Sequence, residues 1–86
     1  MEKLDIILKA LDDKIAENIV SIDLRGKSSI AEYFVIATGS VTNHNQAICD
    51  EVEFQLKNNN MDCLSTEGYK DGNWILLDCG EVIVHI

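Results

Sequence analysis

The sequence predicts a mixed α/β fold, in which helices pack on one five-stranded sheet in the chain order α-β-β-α-β-β-β. Two observations predict this class. Apolar residues recur at three- and four-residue steps in two segments, whereas they alternate or run together in five shorter ones. The chain has 86 residues, which is enough for one domain, and its sequence contains neither a linker nor an internal repeat.

The first two elements differ in their period. Residues 2–17 are predicted to form an amphipathic helix, because apolar side chains recur along one face: Leu4, Ile7, Leu8, Leu11 and Ile15. Residues 19–24 are rich in β-branched side chains and indicate a strand, with Val20, Ile22 and Leu24 on one face. A polar break over residues 25–32 follows, so we expect this strand to pair with the next one as a hairpin.

The second strand and second helix follow directly. Residues 33–37 are apolar on both faces, which is typical of a strand covered on both sides. Ser40 or Thr42 is expected to cap the second helix, which should end at the run Asn58, Asn59 and Asn60 because asparagine tolerates the left-handed conformation of helix ends. This helix is a natural right-handed crossover between parallel neighbouring strands.

The last third is predicted to contain three short strands, at residues 63–66, 74–77 and 82–86. Strand alternation puts Trp74, Leu76 and Asp78 on one face and the three residues between and after them on the other, Ile75, Leu77 and Cys79. A core covered by helices needs one of these faces. The alternation alone leaves two alternatives for Trp74, a core residue or an anchor presented to a partner.

The charge excludes some function classes. The net charge is −8, and residues 41–86 contain two basic and eight acidic side chains. The chain therefore lacks the cluster of basic residues that a nucleic-acid-binding protein needs to neutralise phosphates. We expect no direct nucleic-acid recognition and favour a basic protein as the partner. No stretch approaches 18 uncharged apolar residues, so neither a membrane span nor a secretory signal is expected.

The three cysteines, Cys49, Cys63 and Cys79, are odd in number and widely spaced. They are therefore expected to be separate buried thiols in a reducing, cytoplasmic setting.

One feature favours an enzyme. The Gly39-Ser40 turn lies between a strand and a helix, where backbone amides can hold an anion, as in nucleotidyltransferase sheets. Such enzymes also need paired carboxylates for a divalent metal ion, whereas Asp23 and Asp78 stand alone in their strands. We therefore expect no catalytic site, metal or cofactor. A nucleotidyltransferase-like enzyme or nucleotide-binding protein using this turn is kept as the alternative.

Several segments together resemble the Iojap-like ribosomal silencing factor family: residues 28–40, His44, and residues 47–53, 67–69 and 72–85. The likeness runs from the first helix to Ile86. Asn43 stands where the family usually has arginine, Asn45 where it often has valine, and Asn73 where it typically has aspartate. Family members continue past the last strand into a C-terminal helix, so we expect residues 1–86 to form a single, C-terminally truncated domain of this kind without that helix.

The resemblance implies a nucleotidyltransferase-like fold without transferase activity. It also implies binding to the fourteenth protein of the large ribosomal subunit, which blocks joining of the small subunit and represses translation when nutrients are scarce. The residues expected to face this partner are Trp74, Leu76 and Asp78, with Tyr69, Lys70 and Asp71 at the rim. A homodimer formed through edge strands is a further possibility.

Overall fold

The computed structural model describes residues 2–86. In this range it contains two helices and five strands, in the order that the sequence predicts: α1 (Lys3–Asp13), β1 (Glu17–Asp23), β2 (Tyr33–Thr38), α2 (Thr42–Asn58), β3 (Ser65–Glu67), β4 (Leu76–Asp78) and β5 (Val82–His85). The predicted mixed five-stranded α/β fold is confirmed.

The strands lie in the order β1-β2-β5-β4-β3, and β2 runs parallel to β5 while the other neighbouring pairs are antiparallel. The predicted β1–β2 hairpin has Val20 opposite Ile36 and Ile22 opposite Phe34. The connection between the parallel neighbours β2 and β5 contains α2, as predicted, and it also contains the β3–β4 hairpin.

Both helices pack against one face of the sheet. Val35, Leu77 and Val84 project from three adjacent strands into a core that α1 and α2 close, and all three side chains are fully buried. The expectation that β2 is covered on both sides is wrong for residues 2–86, because Ile36 on the opposite face is 41% exposed. The sheet therefore has a covered face, which carries Val35, Leu77 and Val84, and an open face, which carries Ile36.

The first helix is shorter than predicted. It ends at Asp13, and Ile15 lies outside it with a φ of 58° and with 76% of its surface exposed, so the expectation that Ile15 joins the buried face is wrong. The amide of Ala16 donates to the carbonyl of Leu11 at 2.9 Å, which closes the helix end in a Schellman motif.

The last three strands begin or end one or two residues away from their predicted bounds. Trp74 lies just before β4 rather than within it. The backbone ladder nevertheless continues past β4 and β5, because Ile75 and Ile86 exchange two hydrogen bonds at 3.0 and 2.9 Å. Trp74 is thus the residue next to a paired position, and its side chain follows the strand alternation.

The cysteines differ from the expectation in one respect. Cys63 and Cys79 form a disulfide between the segment before β3 and the residue after β4, so the prediction of three separate thiols is wrong for this pair. The pairing depends on the β3–β4 register, which residue spacing alone does not reveal. Cys49 is a free cysteine, fully buried on α2 as expected.

Candidate functional site

Side chains along β4 and its neighbouring residues alternate between the two faces of the sheet, as predicted. Ile75, Leu77 and Cys79 are fully buried in the core. On the other side, Trp74 is 68% exposed, while Leu76 and Asp78 are half-buried on the open face. The structure therefore brings Trp74, Leu76 and Asp78 together on one surface, and Trp74 is not a core tryptophan.

Neighbouring strands extend this surface into an apolar groove. The ring of His85 on β5 lies between two aromatic rings, with centroid distances of 5.5 Å to Phe34 and 6.1 Å to Trp74. Ile36 lines the same groove beside these three rings. Phe34, Ile36 and His85 are not among the residues predicted from the sequence to face a partner, since finding them requires the β2–β5–β4 order in addition to the alternation.

The open face continues onto β1. Val20 lies opposite Ile36 and is 50% exposed, and Ile22 lies opposite Phe34 and is 39% exposed. Four adjacent strands thus contribute apolar side chains to one solvent-facing surface. A contiguous apolar patch of this kind is typical of an interaction site, whereas single exposed apolar residues are common on any protein.

The loop that carries the predicted rim residues is held against α2. Asn45 Nδ2 donates to the carbonyl of Gly72 at 2.7 Å, and Gln46 Nε2 donates to the carbonyl of Tyr69 at 2.7 Å. The Tyr69 hydroxyl donates to Asp50 at 3.0 Å, and this hydrogen bond raises the pKa of Tyr69 above its usual value. Tyr69 is therefore tied to the helix side of the molecule, whereas Trp74 lies on the open face.

Lys70 and Asp71 are exposed at the tip of the same loop. Asp78 has a local structural role as well as its position on the open face. Its carboxylate accepts a hydrogen bond from the Gly80 amide at 3.0 Å and so closes the turn between β4 and β5.

The Gly39-Ser40 turn is filled by the protein itself. The amide of Ser40 donates to His44 Nδ1 at 2.8 Å, and His44 Nε2 donates to the carbonyl of Lys14 at 2.7 Å. The helix cap is Val41, which carries no capping side chain, so the expectation that Ser40 or Thr42 caps α2 is wrong. A backbone amide on which anion binding would depend is therefore already engaged by His44.

The carboxylates of this sheet lie far apart in the strand order. Asp23 is on β1 and Asp78 on β4, with β2 and β5 between them. Arg25 donates to both carboxylate oxygens of Asp23, and these hydrogen bonds lower the pKa of Asp23 to about 2. Over residues 2–86, no group of three or more histidine, cysteine, aspartate or glutamate side chains converges.

The described helices are also too short or too polar to cross a membrane; this holds for residues 2–86.

Comparisons with known proteins agree on one family. The profile of the family described as "Ribosomal silencing factor during starvation" matches residues 1–86. Ribosomal silencing factor RsfS of Bacillus subtilis is 39% identical over 83 residues, which cover 96% of this chain and 70% of the relative. A crystal structure of a Chromobacterium violaceum protein superposes with a TM-score of 0.91 at 31% identity and covers 99% of this chain and 73% of that one.

A second crystal structure, of a Bacillus halodurans protein, superposes with a TM-score of 0.89 at 33% identity. It covers 95% of this chain and 76% of that one. The family match spans the whole sequence, and the relatives and solved structures are similar to this chain in sequence and in fold, respectively. The chain therefore belongs to the RsfS family of ribosomal silencing factors.

Proposed function

We propose that this protein represses translation in the cytoplasm by binding the fourteenth protein of the large ribosomal subunit through the open face. Bound there, it occupies the surface that the small subunit must reach, so the two subunits do not join. Membership in the RsfS family supports a ribosome-silencing role, and the exposed groove around Trp74 supports the surface. The mechanism is competition for a surface and involves no bond chemistry.

The apolar centre of the open face supports its use as an interface. Trp74 is 68% exposed in the free protein, although a tryptophan side chain is among the most favourable to bury. Tryptophan is enriched among the residues that dominate binding energy, especially where apolar neighbours exclude water around it. Phe34, Ile36 and His85 supply such neighbours. We therefore assign Trp74 as the anchor of the interface.

The edge of the groove supports a basic partner. Glu67 lies opposite Leu76, and Ser65 lies opposite Asp78, so two carboxylates flank the apolar centre on the β3 and β4 side. The net charge of −8 adds a long-range attraction toward a positively charged surface. Complementary charge raises the association rate and fixes orientation more than it raises affinity. Lys70 and Asp71, at the tip of the neighbouring loop, are the proposed rim contacts.

Co-sedimentation with isolated large subunits tests this proposal. The wild-type protein should sediment with the subunit, and Trp74→Ala should weaken binding by roughly thirtyfold or more, as is typical of an interface anchor. Phe54→Ala is the matched control, because Phe54 is a 60% exposed aromatic residue on α2, which packs on the covered face. It should bind like the wild type.

Subunit joining provides the functional readout. In sucrose gradients, the wild-type protein and Phe54→Ala should reduce the amount of joined ribosomes, and Trp74→Ala should not do so at the same concentration. Equal binding by all three proteins would show that the open face is not the interface. Failure of the wild type to bind the large subunit would overturn the proposed function itself.

A further inference from the structure

A disulfide lies at the start of the edge strand β3. Cys63 and Cys79 are bonded to each other, their Cα atoms are 3.9 Å apart, and they are separated by 16 positions in the sequence. The amide of Leu64 donates to the carbonyl of Asp78 at 2.6 Å, so the backbone pairing continues beside the two cysteines. The fold itself therefore holds these two sulfur atoms within bonding reach.

Cys63 and Cys79 differ in their exposure to solvent. Cys63 is half-buried and lines an open groove between α2 and β3 together with Phe54 and Met61. Cys79 is fully buried behind it. A reagent from solvent therefore reaches Cys63 first.

Cys49 is protected from the same chemistry. Its side chain is fully buried, and its thiol donates to Glu53 at 3.3 Å. Burial, and then this hydrogen bond, raise the pKa of the Cys49 thiol well above its usual range. Since the thiolate is the reactive form, Cys49 stays an unreactive thiol.

We propose that Cys63 and Cys79 are a reversible thiol–disulfide pair that a small disulfide oxidises through Cys63. The Cys63 thiolate attacks one sulfur of the small disulfide, which forms a mixed disulfide and releases one small thiolate. The Cys79 thiolate then attacks the Cys63 sulfur, forms the protein disulfide and releases the second small thiolate. The two protons lost by the cysteines end on the two released thiols, so the protein is oxidised and the small disulfide is reduced.

The charge of the groove selects the class of oxidant. Asp50, Glu53 and Asp62 line it, against the single lysine of that lining, Lys57. This excess of carboxylates attracts a cationic disulfide and repels an anionic one. We therefore assign a cationic, amine-bearing small disulfide as the preferred reagent, and cystamine is the probe.

Oxidation closes a ring from Cys63 to Cys79 that contains β3, the loop with Tyr69, and Trp74. The strand β3 has three exposed residues, and it pairs with β4 at an edge of the sheet. A crosslink at its start opposes fraying of this edge, because it limits the freedom of the opened chain. Amide hydrogen exchange in β3 should therefore be roughly tenfold slower in the oxidised protein.

The test starts from the fully reduced protein and needs no ribosome, so it is independent of the proposed function. After cystamine treatment, alkylation and mass spectrometry should find one reactive thiol after unfolding, Cys49, and a Cys63–Cys79 crosslinked peptide; reduction should restore all three thiols. Cys49→Ala should be oxidised like the wild type. In Cys63→Ser, modification of Cys79 should be at least roughly tenfold slower than oxidation of the wild type.

Three results would overturn the proposal. The first is a crosslink that includes Cys49. The second is a stable adduct of the reagent on Cys63 without closure to Cys79. The third is modification of Cys79 in Cys63→Ser as fast as oxidation of the wild type, because Cys63 would then not be the point of entry.

Discussion

The two faces of the sheet carry similar apolar residues but differ in their exposure to solvent. On the covered face, Val35, Leu77 and Val84 are fully buried by α1 and α2. On the open face, Ile36 and Trp74 stay 41% and 68% exposed. Apolar content therefore does not distinguish the core from the proposed interface, since both faces of β2 and β4 contain large hydrophobic side chains. The position of the helices distinguishes them.

This difference separates stability from binding. Residues of the covered face contribute to the free energy of folding because they are completely buried. Residues of the open face stay partly exposed in the free protein, so their remaining apolar surface can be buried against a partner. Substitutions on the covered face should therefore lower the free energy of unfolding strongly, whereas substitutions on the open face should lower it little but impair binding. The predictions that follow test this division, beginning with the largest effect.

Adjacent leucines on β4 give the most direct comparison of the two faces. Leu77→Ala should lower the free energy of unfolding by about 2–5 kcal/mol, because it opens a cavity in a fully buried site. Leu76→Ala should cost about 1 kcal/mol, because that side chain is half-buried on the open face. Urea unfolding of both variants measures the difference. Equal losses would mean that the open face is as important for folding as the covered one.

The start of α2, which helps to cover the core, gives a smaller effect. A methyl group on Gly39 would overlap Asn45 Oδ1, so Gly39→Ala should cost about 1–3 kcal/mol of stability. Asn45→Ala should cost about 1–2 kcal/mol, since it removes the donor to the Gly72 carbonyl. The double variant should lose less than the two single losses combined, because the overlap disappears with Asn45. Strict additivity in thermal unfolding would contradict this contact.

The smallest effect lies on the exposed β1–β2 hairpin. Arg25 lowers the pKa of Asp23 from its ordinary value of 3.8 to about 2. A carboxyl group with a lowered pKa in the folded protein stabilises above its ordinary pKa, and this contribution is lost as the pH falls from 3.8 to about 2. Since the pair is exposed, solvent screens it, and global stability should change little over this range. An NMR titration should give Asp23 a midpoint near 2, and Arg25→Gln should raise it; an unchanged midpoint in Arg25→Gln would contradict the pairing.

The ends of the two helices show what residue type can and cannot predict. Both end with a left-handed residue in a Schellman motif, Asn60 for α2 and Ile15 for α1. Asparagine favours that conformation, so the end of α2 was predictable from the sequence. Isoleucine does not favour it, and Ile15 also continues the apolar helical period. Nothing local in the sequence therefore marked Asp13 as the end of α1.

The candidate site likewise has one part that was predictable from the sequence and another that was not. Alternation, which is a local property of the chain, grouped Trp74, Leu76 and Asp78 on one side of the strand. The family resemblance, and not the alternation, indicated that this side faces a partner. The contributions of Phe34 and His85 depend on strand order, and the Cys63–Cys79 contact depends on register. These are long-range properties that residue spacing does not encode. Asn45 was visible as a departure from the family pattern, but its bond to Gly72 required the packing of the loop on α2.

The sequence itself provides one label for each side of the molecule, because its two phenylalanines are Phe34, on the open face, and Phe54, on the outer surface of α2. The most direct test of the proposed interface is fluorine NMR of the protein labelled with 4-fluorophenylalanine, with Phe54→Leu used to assign the two signals. When the purified fourteenth protein of the large subunit is added, the Phe34 signal should shift and the Phe54 signal should stay in place. A shift of the Phe54 signal alone, or of neither signal, would contradict binding through the open face.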